Sequence, residues 1–128
     1  MADAVVVDAS AIVDLLLGNE RGRAVGARLT GAALHAPAPL DAEVLSALGR
    51  LHRAGDLEPE AVETMLRSLA EAPIQRHDVS GLLTGAWSRR HRLRLADALY
   101  VHLAVDLGLA LVTTDGRLAP APAAEVVR

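Results

Sequence analysis

Residues 109–115 read LALVTTD, a short apolar run that ends on two threonines and an aspartate. An unbroken run of this kind, without the polar alternation of a half-exposed strand, is expected where a strand is covered on both faces, as in a parallel sheet. Asp115 then stands where the strand emerges from the interior. Residues 4–8, AVVVD, repeat the arrangement, with Asp8 closing a valine run. Ligands of open parallel sheets bind beyond the carboxyl ends of the strands, near the point where strand order reverses. If the two strands are neighbours, both carboxylates enter one crevice.

Working outward, a weaker apolar run at 32–36 supplies a further strand, and 74–77 and 125–127 suit short outer strands. Between these runs the period lengthens to that of amphipathic helices. Val44, Leu48 and Leu51 recur at helical spacing before Gly55, which sits where a helix C-terminal glycine belongs. Val62, Leu66 and Leu69 repeat the pattern between Pro59 in a first turn and Pro73 beyond the end. Leu99, Leu103 and Leu107 form a third stripe, stopped by Gly108. Alternation of strands and helices implies right-handed crossovers and an α/β/α sandwich around a central parallel sheet of four to five strands, in the order βααβααβααβ with room for a final strand.

The chain has 128 residues, and no repeat, linker or composition break divides it, so one domain spanning 1–128 is expected. Hydrophobic residues make up 52% but aromatics only 2%, so the core is expected to be aliphatic, with Trp87 and Tyr100 as its large rings. The absence of cysteine removes disulfides, thiol nucleophiles and thiolate metal sites, and fits a reducing, cytoplasmic setting. The N-terminal stretch lacks the features of a secretory signal, and no apolar run approaches the ~18 to 20 residues of a membrane span. Net charge is −3, against general electrostatic adhesion to nucleic acid but silent on a local patch.

Two more acids can join Asp8 and Asp115: Glu43 and Asp97, each in the first turn of an expected helix, where negative charge is favoured. Taken singly, Asp8 also suits a helix cap, Asp115 a turn, and Glu43 and Asp97 ordinary first-turn positions. Carboxylates gathered together repel by about 4 kcal/mol per pair at 4 Å and an effective dielectric near 20, so a proton or a cation must relieve them. An all-oxygen set selects a hard divalent ion, Mg²⁺ or Mn²⁺, over zinc. Such ions activate water and neutralise leaving oxygens in phosphodiester hydrolysis. Arg89, Arg90, Arg92 and Arg94, in the run WSRRHRLRL, suit nucleic-acid phosphates equally as well as a solvated helix end. Phosphatase, phosphotransferase and receiver sites usually set a lysine beside their aspartates, and all thirteen basic residues here are arginine. Gly-rich phosphate loops are also missing.

The segments VVVDASAIVDLLL, APLDAEVLSALGRL and LADALYVHLAVDLGLALVTTDGRL resemble, in this order, the signature segments of PIN-domain ribonucleases of the bacterial VapC toxin type. The resemblance covers nearly the whole chain. It implies a metal-dependent endoribonuclease, the toxin of a toxin–antitoxin pair, with Asp8, Glu43, Asp97 and Asp115 as metal-binding and catalytic acids. It implies supporting hydroxyls at Ser10 and Thr113, an RNA substrate, a cognate antitoxin and a homodimer, whose surfaces would include the helix face of Val62, Met65, Leu66 and Leu69. One position departs: Ser46 stands where many relatives have asparagine. The competing reading is a catalytically silent module that keeps the fold and binds protein or RNA; loss of one acid would favour it, and all four are present.

Overall fold

The computed structural model describes residues 3–128, so the first two residues of the expected domain lie outside it. Strand β1 (Ala4–Val7) is followed by helices α1 (Ala9–Leu17) and α2 (Glu20–Leu29), then β2 (Ala33–Pro37), α3 (Leu40–Arg53), α4 (Pro59–Glu71) and β3 (Ile74–His77). A 3-10 turn at Ser80–Leu82 leads into the short α5 (Leu83–Trp87), and α6 (Leu95–Leu107) precedes β4 (Ala110–Thr113). A second 3-10 turn at Gly116–Leu118 leads to β5 (Ala124–Val126). The expected strands are all present, displaced by one or two residues at most.

All five strands are parallel, in the order β3-β2-β1-β4-β5. The two strands expected to be outer, now β3 and β5, are indeed the edges. The chain first winds from β1 outward to β3, then returns to the other side of β1 and winds outward again through β4 and β5. The reversal therefore falls between β1 and β4, where Val7 pairs with Val112. Right-handed crossovers put α1 to α4 on one face of the sheet and α5 and α6 on the other. Helix α1 packs on α2 and α3, α3 on α4, and α6 lies across β1, β2 and β4. This is the α/β/α sandwich expected from the sequence.

The core is aliphatic. Val5, Val6, Val7, Leu111 and Val112 of the central strands are fully buried, and Val44 and Leu48 of α3 and Val101 and Ala104 of α6 close over them. Glycine lets two helices come close: a Cβ at Gly22 of α2 would fall 1.8 Å from the carbonyl oxygen of Asp14 in α1. Gly18, at φ 67°, ends α1 in the left-handed conformation, and Gly108, at φ 69°, does the same for α6, as its position in the sequence leads one to expect. Pro59 opens α4 at its first turn and Gly55 follows the end of α3 at φ 84°.

Three expectations need correction. Trp87 is not in the core: it is 57% exposed at the end of α5, with the Arg90 guanidinium 4.7 Å above its ring, so the arginine rather than the interior covers it. The stripe Leu99, Leu103 and Leu107 is not the buried face of α6; Leu103 is buried but Leu107 is exposed, and Ala98, Tyr100, Val101 and Ala104 do the packing. That helix is apolar on most sides, so period alone did not pick the face. The surplus expected on α4 is also smaller, because Leu69 is core and Val62, Met65 and Leu66 are half-buried against it.

Among the described residues, no helix is long and apolar enough to cross a membrane.

Candidate active site

Asp8 sits in the single-residue junction between β1 and α1. Its Oδ1 accepts from the Ala11 amide at 3.0 Å and from Ser10 Oγ at 2.8 Å, and its Oδ2 accepts from Thr113 Oγ1 at 2.5 Å. The cap that its sequence position allowed is therefore real. Ser10 and Thr113, the two hydroxyls singled out in the sequence, both donate to this carboxylate and lie 3.1 Å from each other. Ser10 also ties the start of α1 to the end of β4, since the Thr114 amide donates to its Oγ, and the Asp115 amide donates locally to Thr113 Oγ1. Asp8 is only 7% exposed. Burial pushes its carboxyl above the usual carboxylate range, against the three hydrogen bonds, and the charge of Asp115 adds to the rise.

Asp115 emerges from β4 and caps the following 3-10 turn by accepting from the Arg117 amide at 3.0 Å. The Arg117 side chain closes on the same carboxylate, with Nε 3.0 and 3.1 Å from its two oxygens and Nη2 2.5 Å from Oδ2. This pairing holds Asp115 below the ordinary carboxylate range.

Glu43 lies in the first turn of α3 and accepts a short hydrogen bond from the phenol of Tyr100 on α6, so it is aimed across the end of the sheet by the opposite helix layer. Burial, then Glu43, drives the Tyr100 hydroxyl far upward, and the charges of Asp8 and Asp97 contribute. Asp97 lies in the first turn of α6, three residues before Tyr100. Its carboxyl is raised by burial, lowered by Arg117 and Arg94, and raised again by Asp115. The four acids thus act on one another or on a shared neighbour at one end of the sheet.

Glu43, Asp115 and Ser10 line an open pocket of about 440 Å³, together with Asp14, Arg21 and Arg50. Asp8 and Asp97 do not line it; Asp8 is tied to it through its hydrogen bond from Ser10. The donors are carboxylates and hydroxyls only, which fits a hard divalent cation by chemistry. Their resting arrangement is open: among the described residues no three acidic or histidine side chains converge closely enough to enclose an ion. Arg117 is paired with Asp115 and Tyr100 with Glu43.

The arginine run does not act as one patch. Arg90 stacks on Trp87, Arg94 is the residue before α6 and its charge reaches Asp97 and Asp115, and Arg89 and Arg92 line a separate cleft. Tyr100 and Arg117 escaped the sequence reading. Tyr100 stands one helical turn beyond Asp97 and Arg117 two residues beyond Asp115, so helix and turn spacing held the signal for both. Of the acids outside the four, Asp41 forms a two-pronged pair with Arg76 at 2.9 and 3.1 Å, and Asp106 is exposed. Asp14 borders the pocket. Ser46, the departure from the resembling pattern, is exposed on α3.

The sequence pattern of the PIN domain matches residues 5–123. The chain belongs to the PIN-domain family. Within it the chain is of the VapC type: it is 58% identical over 125 residues to Ribonuclease VapC3 of Mycobacterium tuberculosis, covering 96% of this chain and 91% of that protein. Among solved PIN-like structures, the crystal structure of PAE2754 from Pyrobaculum aerophilum is 27% identical, with a TM-score of 0.71 over 99% of this chain and 92% of that one. A toxin–antitoxin complex from Klebsiella pneumoniae shares the PIN fold at a TM-score of 0.64 and 17% identity, over 97% of this chain and 98% of that one.

Proposed function

We propose that this single PIN domain is the toxin of a toxin–antitoxin pair and acts as an endoribonuclease dependent on Mg²⁺ or Mn²⁺. The observation that carries the reading is the placement of the acids. Asp8 and Asp115 follow adjacent strands at the reversal of the sheet, and Glu43 and Asp97 open helices from its two faces. The 58% identity to a VapC ribonuclease supports RNA as substrate.

A dication held by Asp8, Glu43, Asp97 and Asp115 would supply charge neutralisation and activation of the attacking water. The chain's own groups prepare for it. Ser10, Thr113 and the Ala11 amide hold the Asp8 carboxylate in one orientation, so little ordering remains to be done on binding. Tyr100 fixes Glu43, and its hydroxyl, whose ionisation burial and Glu43 both oppose, remains a donor. Asp97 and Asp8 share a raised affinity for protons because burial leaves their charges poorly compensated, which is the electrostatic strain a cation relieves. The charge of Arg94, which reaches Asp97 and Asp115, supports a phosphate-binding part for that arginine. The VapC resemblance further implies an antitoxin partner and a homodimer.

The test is cleavage of a panel of single-stranded and stem-loop RNAs by the wild-type, Asp8→Asn and Asp97→Asn proteins, with Mg²⁺ or Mn²⁺ and with chelator. Cleavage confined to wild type with metal, and reduced at least ~100-fold in either variant, is the expected result. Equal activity in all samples removes the mechanism, and none in any points to a binding module.

A further inference from the structure

Beside the acidic pocket lies a second concavity, of about 580 Å³, between the connection from α5 to α6 and the turn after β4. Its size is within the roughly 300 to 1,000 Å³ of small-ligand pockets. Arg89, Arg92 and Arg117 line it, and no acidic residue does, on a chain whose net charge is −3. Among the described residues, neither Arg89 nor Arg92 has a carboxylate within ion-pairing distance, and the buried Nε of Arg89 has no hydrogen-bond partner. Part of its lining is apolar: Leu93 and Ala121 pack against the core, and Pro122 lies beside them in the lining. Arg117 belongs to both places, since it lines this cleft while its guanidinium grips Asp115.

We propose that this cleft is a subsite for a nucleotide of single-stranded RNA flanking the scissile bond, with Arg89 and Arg92 on its phosphate and the Leu93–Ala121–Pro122 wall against its sugar or base. The inference rests on the nuclease reading and adds to it where the strand runs. Guanidinium groups match phosphate oxygens in pairs, and two of them without acidic partners have nothing to give up on binding. The apolar wall suits a base lifted out of a stack, which single strands offer and duplexes do not. Arg117 connects the two events: a phosphate arriving in the cleft competes for the guanidinium that otherwise neutralises Asp115, so that carboxylate is released as substrate seats.

The experiment measures binding without metal, by fluorescence anisotropy of a short labelled single-stranded RNA of mixed sequence in chelator, across a range of salt. The Arg89→Gln/Arg92→Gln protein is compared with wild type and with Arg53→Gln/Arg67→Gln, which removes the same charge from exposed positions on α3 and α4. Affinity is expected to fall about 10- to 100-fold in the cleft variant alone. The slope of log affinity against log salt should decrease by about 1 to 1.5, as for two phosphate contacts on a single strand. Equal losses in both double variants, or an unchanged slope, overturn the assignment. Arg92→Gln alone, at an exposed position, should give part of the same effect and keeps the test decisive where loss of the half-buried Arg89 impairs folding. Hexaglutamate that displaces the RNA as well as unlabelled RNA does would assign the cleft to an acidic protein segment instead, and overturn the proposal. Binding is read in chelator and cleavage with metal, so failure of the cleft and failure of catalysis are read separately.

Discussion

Asp115 has two suitors. Arg117 meets it with three side-chain contacts, and any cation that is to use the same carboxylate must displace or share that guanidinium. Both side chains reach solvent, so the pair is screened and the competition is modest. Arg117→Gln is therefore expected to tighten Mn²⁺ binding by roughly three- to tenfold, read from the free-ion electron paramagnetic resonance signal, while adding Asp115→Asn cancels the gain. Unchanged affinity in Arg117→Gln would mean that the clamp does not guard the site. The positions of the acids were legible in the sequence because each is fixed by its own local backbone: one residue past a strand, or the first turn of a helix. The contact of Tyr100 with Glu43 was not, since it depends on how α3 and α6 pack, whereas Arg117 stood within turn spacing of Asp115 and was passed over.

At the level of elements, α1 and α2 pack so closely that one position tolerates no side chain. At Gly22 a Cβ would meet backbone, the Asp14 carbonyl at 1.8 Å, and backbone cannot rotate aside. Gly22→Ala is expected to destabilise the protein by roughly 2 to 4 kcal/mol. Gly26→Ala, whose Cβ would lie 3.4 Å from a Leu15 methyl, serves as the control and should be neutral or stabilising by up to about 1 kcal/mol through helix propensity. Urea midpoints at unchanged m-value distinguish the two. Helix ends were readable from Gly55, Pro59 and Gly108, because caps are local chemistry. The buried face of α6 was not, since a helix buried on most sides has no single apolar stripe to read, and Trp87 went astray because a cation on its own helix end covers it.

For the whole molecule, parallel strands could be recognised as unbroken apolar runs, but their order could not: nothing in a valine run states its neighbour. Only the convergence of Asp8 and Asp115 required β1 and β4 to be adjacent, and the sheet order bears this out. On the other side of β1 the sheet carries a titratable pair, His35 and His77, whose ring nitrogens lie 2.9 Å apart. Burial, with His77 as the second cause, holds His35 below the ordinary histidine range. A histidine with a depressed folded-state value binds protons more weakly than the unfolded chain does. Stability is then full above the unfolded value and is lost as pH falls through ~6.5 toward the folded one. Thermal midpoints are expected to drop between pH ~7 and ~5, and the drop should be smaller in His35→Gln. An identical slope in both proteins would assign the pH response elsewhere.

The junction from β1 to α1 is a single residue, and that residue is Asp8, at once the last link of a strand, the cap of a helix and an acid of the candidate site. No slack exists there to be lengthened or re-aimed without dismantling the sheet. The stretch from Ser88 to Arg94 carries no such double duty, lying between two helices at the rim. Descendants of this chain that change their target are thus free to vary at the periphery, while the chemical machinery is inherited intact with the architecture.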